Sequence, residues 1–205
     1  MIKLLLLPLF FIGSCSQLPI SYADTPLQIY RASFGYPNEA VSQEIYESYE
    51  YSFAKVRFGK DQSAIMILAE VKNDIYTWIG SDGVKIITIN GRIVETDGLP
   101  KDVDISYSPQ RKGMMAGRFF EVINFENPIL SNANLESSVQ FDDYADYQYL
   151  ENSLKALIFS EIVSIRSIGW KEQNFYYFNS QNKALKTIQF IHPFLDKIEM
   201  EFYLK

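Results

Sequence analysis

Val84-Lys85-Ile86-Ile87-Thr88-Ile89-Asn90-Gly91-Arg92-Ile93-Val94-Glu95-Thr96-Asp97-Gly98-Leu99-Pro100 is the stretch that decides the fold. Val84, Ile86 and Thr88 alternate with Lys85, Ile87 and Ile89, the period of a strand that shows different residues to its two faces. Asn90-Gly91 then supplies the pair that a type I′ turn requires, because both central residues must adopt positive φ. Arg92 to Asp97 returns antiparallel. Gly98 permits a tight bend that Pro100 stiffens, so the segment reads as one complete hairpin.

The same pattern continues in both directions. Upstream, Ala64–Val71 is an apolar run, Asn73-Asp74 a turn, Ile75–Ile79 a strand and Gly80-Ser81-Asp82-Gly83 a second turn. Downstream, strands are expected over 117–123, 138–149, 157–168, 175–179, 185–191 and 197–204. One helix is expected from Glu39 to about Tyr49, capped by Asn38, with Val41, Ile45 and Tyr49 forming an apolar stripe. Consecutive strands with short polar turns predict a mainly β protein, an antiparallel curved sandwich or half-barrel with one short N-terminal helix. Periodicity does not separate sandwich from half-barrel.

The N-terminus carries a different signal. Lys3 precedes the apolar run Leu4–Ile12, and Gly13-Ser14 leads into Cys15, the only cysteine. A membrane-spanning helix needs roughly 20 apolar residues, and this run is much shorter, so residues 1–14 read as a signal peptide. Ile12-Gly13-Ser14-Cys15 resembles a bacterial lipobox, which implies acylation of Cys15, palmitate among the chains; an ordinary signal peptide cut elsewhere, or a buried thiol, is the alternative. More than one acyl chain gives durable anchoring. Ser16 takes the place where an aspartate resembles an inner-membrane retention signal, so the expected location is the outer membrane, facing the periplasm. Residues 15–25 form a lipidated tether and 26–205 a single β-rich domain. With one cysteine, no intramolecular disulfide can form.

The formal net charge is −6, and loss of the signal peptide removes Lys3 but no acid. An acidic body argues against nucleic acid as a partner and against whole-body attraction to an acidic polymer. Hydrophobic residues make up 47% of the chain, enough for a core without cross-links.

The block Trp78, Ser81-Asp82-Gly83-Val84, Asn90-Gly91-Arg92-Ile93-Val94, Thr96 and Gly98-Leu99-Pro100 resembles the signature of the YjbF/GfcB lipoproteins, the group 4 capsule polysaccharide lipoproteins. Tyr51, Ala54, Phe58-Gly59-Lys60-Asp61-Gln62 and Leu68-Ala69-Glu70 match upstream; Phe175-Tyr176-Tyr177, Lys186-Thr187, Gln189 and Pro193 match downstream. Ser180-Gln181-Asn182-Lys183 departs from a turn that usually carries glycine, and Tyr177-Phe178 stands for a Trp-Val type pair. The resemblance implies a non-enzymatic accessory in exopolysaccharide or capsule secretion or assembly. Its partners would be other secretion proteins or the polysaccharide, and it brings no catalytic residues and no cofactor.

The residues themselves suggest few alternatives. His192 is the only histidine, which leaves little for a catalytic triad or a transition-metal site, and its place before Pro193 reads as structural. Asp142, Asp143 and Asp146 could bind calcium but lack a glycine-turned loop, so a solvated acidic face is the simpler reading. Asp97, Asp102 and Asp104 could supply a carboxylate pair for glycan processing, a third reading that needs a defined separation. Direct carbohydrate binding is the closer rival, through tyrosines such as Tyr144 and Tyr176. Phe175 and Tyr177 share one strand face while Tyr176 and Phe178 share the other, so one pair belongs to the core. Arg92 and Thr96 are candidates for a polar partner-binding surface, with Arg92 pairing to Asp82 or Glu95 as the bland alternative.

Overall fold

The computed structural model describes residues 35–106 and 115–205, and Gly35–Lys205 forms a compact unit. Residues 1–34, with the signal peptide, Cys15, the tether and the start of the expected domain, lie outside the described residues.

The strands are β1 (Phe53–Phe58), β2 (Ala64–Lys72), β3 (Ile75–Gly80), β4 (Lys85–Ile89), β5 (Arg92–Asp97), β6 (Val103–Ser106), β7 (Gly117–Phe125), β8 (Leu130–Tyr149), β9 (Asn152–Ile165), β10 (Trp170–Phe178), β11 (Ala184–Gln189) and β12 (Ile198–Tyr203). Each pairs antiparallel with its neighbours in sequence, and β1 pairs with β12 as well as with β2, so the sheet closes into a twelve-stranded barrel. This goes beyond the sandwich or half-barrel expected from sequence. The closing strand is why: β1 reads Phe-Ala-Lys-Val-Arg-Phe and its first four residues are all buried, so no clean alternation marks it. Closure removes the exposed edges that an open sheet must protect.

Asn90 and Gly91 have φ of 50° and 77°, the positive pair that the hairpin reading requires. The turn packs inside the barrel. A Cβ on Gly91 would stand 2.7 Å from Ala184 Cβ and 3.1 Å from Thr187 Cγ2, so only glycine fits this approach to β11. Gln189 holds the turn there: its Nε2 donates to the Gly91 carbonyl (2.9 Å) and its Oε1 accepts from Ile93 N (2.9 Å). The apolar part of the interior is built from Ala54, Val56, Trp78, Ile86, Ile93, Ile123, Ile165, Ile198 and Met200 among others.

A second cluster covers the outer face of β1 and β12. Here Val41, Phe53 and Tyr203 pack with Tyr46 and Tyr49 and with Tyr149 and Leu150 at the tip of the long β8–β9 hairpin. A register shift between Phe141 and Asp143 interrupts that hairpin, and such irregularities bend a strand pair. The helix α1 (Gln43–Ser48) is shorter than the expected 39–49, and Ser42 caps it in place of Asn38, accepting from Ile45 N at 3.2 Å. The reason is tertiary. Lys55 Nζ takes the Glu39 carbonyl (2.8 Å) and Val41 is buried, so the chain stays extended up to Ser42.

Candidate functional site

Strand parity brings one charged cluster into the apolar interior. On β9, Glu161 shares its face with Val163 and Ile165; on β7, Glu121 shares its face with Ile123 and Phe125. Arg92, at the start of β5, reaches both acids. Its guanidinium grips Glu121 through two bonds, Nη2 to Oε2 at 2.8 Å and Nη1 to Oε1 at 3.2 Å, and its Nε lies 3.5 Å from Glu161 Oε1. Tyr176 Oη donates to Glu161 Oε2 at 2.5 Å, and Asn174 Nδ2 lies 3.5 Å from the same oxygen. Burial opposes the charge on Arg92, but the carboxylates of Glu161 and Glu121 outweigh it and raise its pKa above the ordinary arginine value.

Three residues expected on a binding surface are therefore core. Arg92 and Thr96 are each 4% exposed and Tyr176 is fully buried. Arg92 pairs with neither Asp82 nor Glu95. Asp82 Oδ1 accepts from Val84 N within its own turn, while Glu95 and Asp97 face Lys85 at 3.6 and 3.3 Å. Thr96 Oγ1 donates to Asp102 Oδ1 (2.8 Å), and Asp102 also accepts from Gly98 N and Leu99 N. Asp102 thus ties the Gly98-Leu99-Pro100 bend and is engaged in turn structure.

Tyr144 is exposed beside Phe141, their rings 5.2 Å apart, where the β8–β9 hairpin bends. Tyr147 instead packs towards Tyr177 and Tyr149 towards Tyr203, and burial pushes all three of Tyr147, Tyr149 and Tyr203 above the usual phenol range. Of the aromatic pairs on β10, Tyr176 and Phe178 are the core pair.

Asp142 accepts from Ser160 Oγ and Gln140 Nε2, Asp143 from Tyr144 N, and Asp146 lies 3.6 Å from Lys155. No group of three or more potential metal ligands occurs among the described residues. His192 is 1% exposed, packs edge-on to Phe125, and accepts from Phe194 N through Nδ1. Its Nε2 meets no partner with hydrogen-bond geometry among the described residues. Burial and the charge of Lys101 lower its pKa, and the Glu126 carbonyl opposes them.

Space for a ligand is distributed unevenly. The cavity beside Arg92, Asn174 and Gln189 holds about 10 Å³, no more than one water and far too little for a sugar. A small pocket of about 80 Å³ sits by Asp74, Tyr76 and Asn182. The large opening, about 760 Å³, lies over β7–β10, with Arg118, Phe120, Ser138, Ser164, Arg166 and Lys171 in its lining. Sequence reasoning missed this groove because its residues meet only through strand pairing. It missed Glu121 and Glu161 too, although each breaks an apolar run of one parity, a signal that was there to read.

Fold and site together define a closed antiparallel β-barrel domain with a salt-bridged interior and an open groove on its outer surface. The chain belongs to the family of group 4 capsule polysaccharide lipoproteins, GfcB/YjbF, whose model matches residues 28–203. Its fold is similar to the crystal structure of the hypothetical lipoprotein YmcC from Escherichia coli K12, with a TM-score of 0.71 and 19% identity, covering 87% of this chain and 95% of that one. No curated protein matches the sequence.

Proposed function

We propose that this protein is a lipid-anchored, non-enzymatic accessory of capsule or exopolysaccharide secretion, held in the outer membrane and facing the periplasm. The family match over residues 28–203 carries the reading, because it spans the barrel that contains every motif of the sequence block. The N-terminal Ile12-Gly13-Ser14-Cys15 supports the anchor, and Ser16 supports the outer membrane. The arrangement of the interior also favours a structural role. Glu121 and Glu161 share the guanidinium of Arg92 beside a cavity of about 10 Å³, whereas a glycosidase needs two carboxylates flanking a bound sugar. Other secretion proteins are the natural partners, and exposed Tyr144 with Phe141 offers them an aromatic contact.

Deleting the protein and restoring it should change where the polymer is found. The expected result is polymer retained in cells of the deletion strain and released again on complementation. Equal release with and without the protein would remove the secretion reading. Direct contact with the polymer is a second reading, favoured by the outer groove.

A further inference from the structure

The outer groove over β7–β10 has a specific construction. Across the four strands, Phe120 faces Glu136, Glu136 faces Ser164, and Ser164 faces Lys171; in the adjacent row Arg118 faces Ser138 and Ser138 faces Ile162. On the two middle strands Ser138 and Ser164 alternate with the longer Glu136 and Ile162, while Arg118, Phe120 and Lys171 stand on the outer two. The result is a trough whose floor is Ser138, Ser164, Ile162 and Glu136, with Arg118 and Phe120 on one side and Lys171 and Arg166 on the other. Strands lie about 4.8 Å apart, so the trough is on the order of 14 Å wide across four strands.

Its charge runs against that of the chain. The protein carries −6 overall, yet this trough sets three cations against one carboxylate, Glu136, which is taken by Arg166 at 2.9 Å. Arg118 and Lys171 have no acidic partner among the described residues. Phe120, 72% exposed, stands on the same strand face as Arg118, two residues along β7.

We propose that this trough binds an anionic oligosaccharide segment, a sugar chain carrying carboxylates. Such a chain offers what the trough matches: the C–H face of a pyranose for Phe120, hydroxyls for Ser138 and Ser164, and carboxylates for Arg118 and Lys171. Guanidinium–carboxylate contacts are directional as well as strong, so Arg118 would set the register of the bound segment. The inference deepens the secretion reading and rests on it for the presence of a polymer.

The test is calorimetric titration of the full-length protein in detergent with a short oligogalacturonate, a maltooligosaccharide of equal length and a short polyglutamate. Oligogalacturonate is expected to bind, more weakly as salt rises, and the neutral sugar not to bind. The surface double variant Arg118→Glu/Lys171→Glu should weaken binding about tenfold or more, as expected from losing charge-assisted bonds. Phe120→Ala should weaken the sugar but leave any polyglutamate signal unchanged. Absence of oligogalacturonate binding, equal binding of the neutral sugar, or equal binding of polyglutamate would each overturn the proposal. So would variants that bind as the wild type does, with native folding confirmed by circular dichroism. If oligogalacturonate does not bind while polymer release still depends on the protein, this inference alone fails. Release indifferent to the protein instead removes the reading beneath it.

Discussion

Arg92 and Glu121 form a two-bonded ion pair inside the barrel, 2.8 Å apart at its shorter contact, with side chains 5% and 0% exposed. They come from β5 and β7, on either side of β6, whose register with β5 rests on the single pair Glu95↔Asp104. The ion pair therefore fastens the barrel where its backbone ladder is thinnest. It also sets the Asn90-Gly91 hairpin, because Arg92 is the first residue after that turn.

Arg92→Met should cost about 3–5 kcal/mol of stability, the range for leaving a buried charge without its partner. Arg92→Lys should recover only part, since an ammonium cannot hold the fork to Glu121 and reach Glu161 together. Denaturant unfolding monitored by Trp78 and Trp170 fluorescence reads both. A Met variant within about 0.5 kcal/mol of wild type, the range of an ordinary surface change, would contradict the fastening role.

Gly91→Ala should destabilise by about 1–3 kcal/mol through overpacking, because its Cβ would meet Ala184 Cβ at 2.7 Å. Adding Ala184→Gly relieves that contact, so the double variant should be more stable than the sum of the single effects. Additive losses in a thermal denaturation cycle would show that the turn is not seated against β11.

The pH dependence has two arms. His192 has a lowered pKa, so below about pH 6.5 the unfolded chain takes up a proton that the folded chain refuses, and stability falls with acid. His192→Asn should flatten the slope between about pH 7 and 5. Tyr147 and Tyr203 hold their protons more tightly when folded, so stability should also fall as pH rises above about 10, where the unfolded phenols ionise. Unfolding midpoints across the pH range check both arms, and an acid slope unchanged in His192→Asn would rule out the first.

What the sequence revealed follows from where each strand keeps its second face. The Asn90-Gly91 turn and the antiparallel pairing of β4 with β5 were legible, but the register shift between Ile87 and Thr88 was not, because Arg92, Ile93 and Val94 are all buried and β5 shows no alternation. β1 was not legible either, because α1 and the tip of the β8–β9 hairpin cover its outer face and leave Phe53, Ala54, Lys55 and Val56 all buried. β6 has only four residues, too few for a period to show. Missing those two strands hid the closure of the sheet. Arg92 looked like a surface residue because its partners lie 29 and 69 positions away, and a charge buried by distant partners carries no local mark. The outer groove has the same character: its walls and floor come from four different strands.

The claim that an anchored barrel serves polymer secretion is tested most directly by Cys15→Ser expressed with a cleavable signal in the deletion strain. Polymer in the medium is measured against polymer in the cell, beside complementation with the wild type. Release restored by the wild type and not by the soluble form is the predicted result. Full release with the soluble form, or in the deletion strain itself, would contradict it.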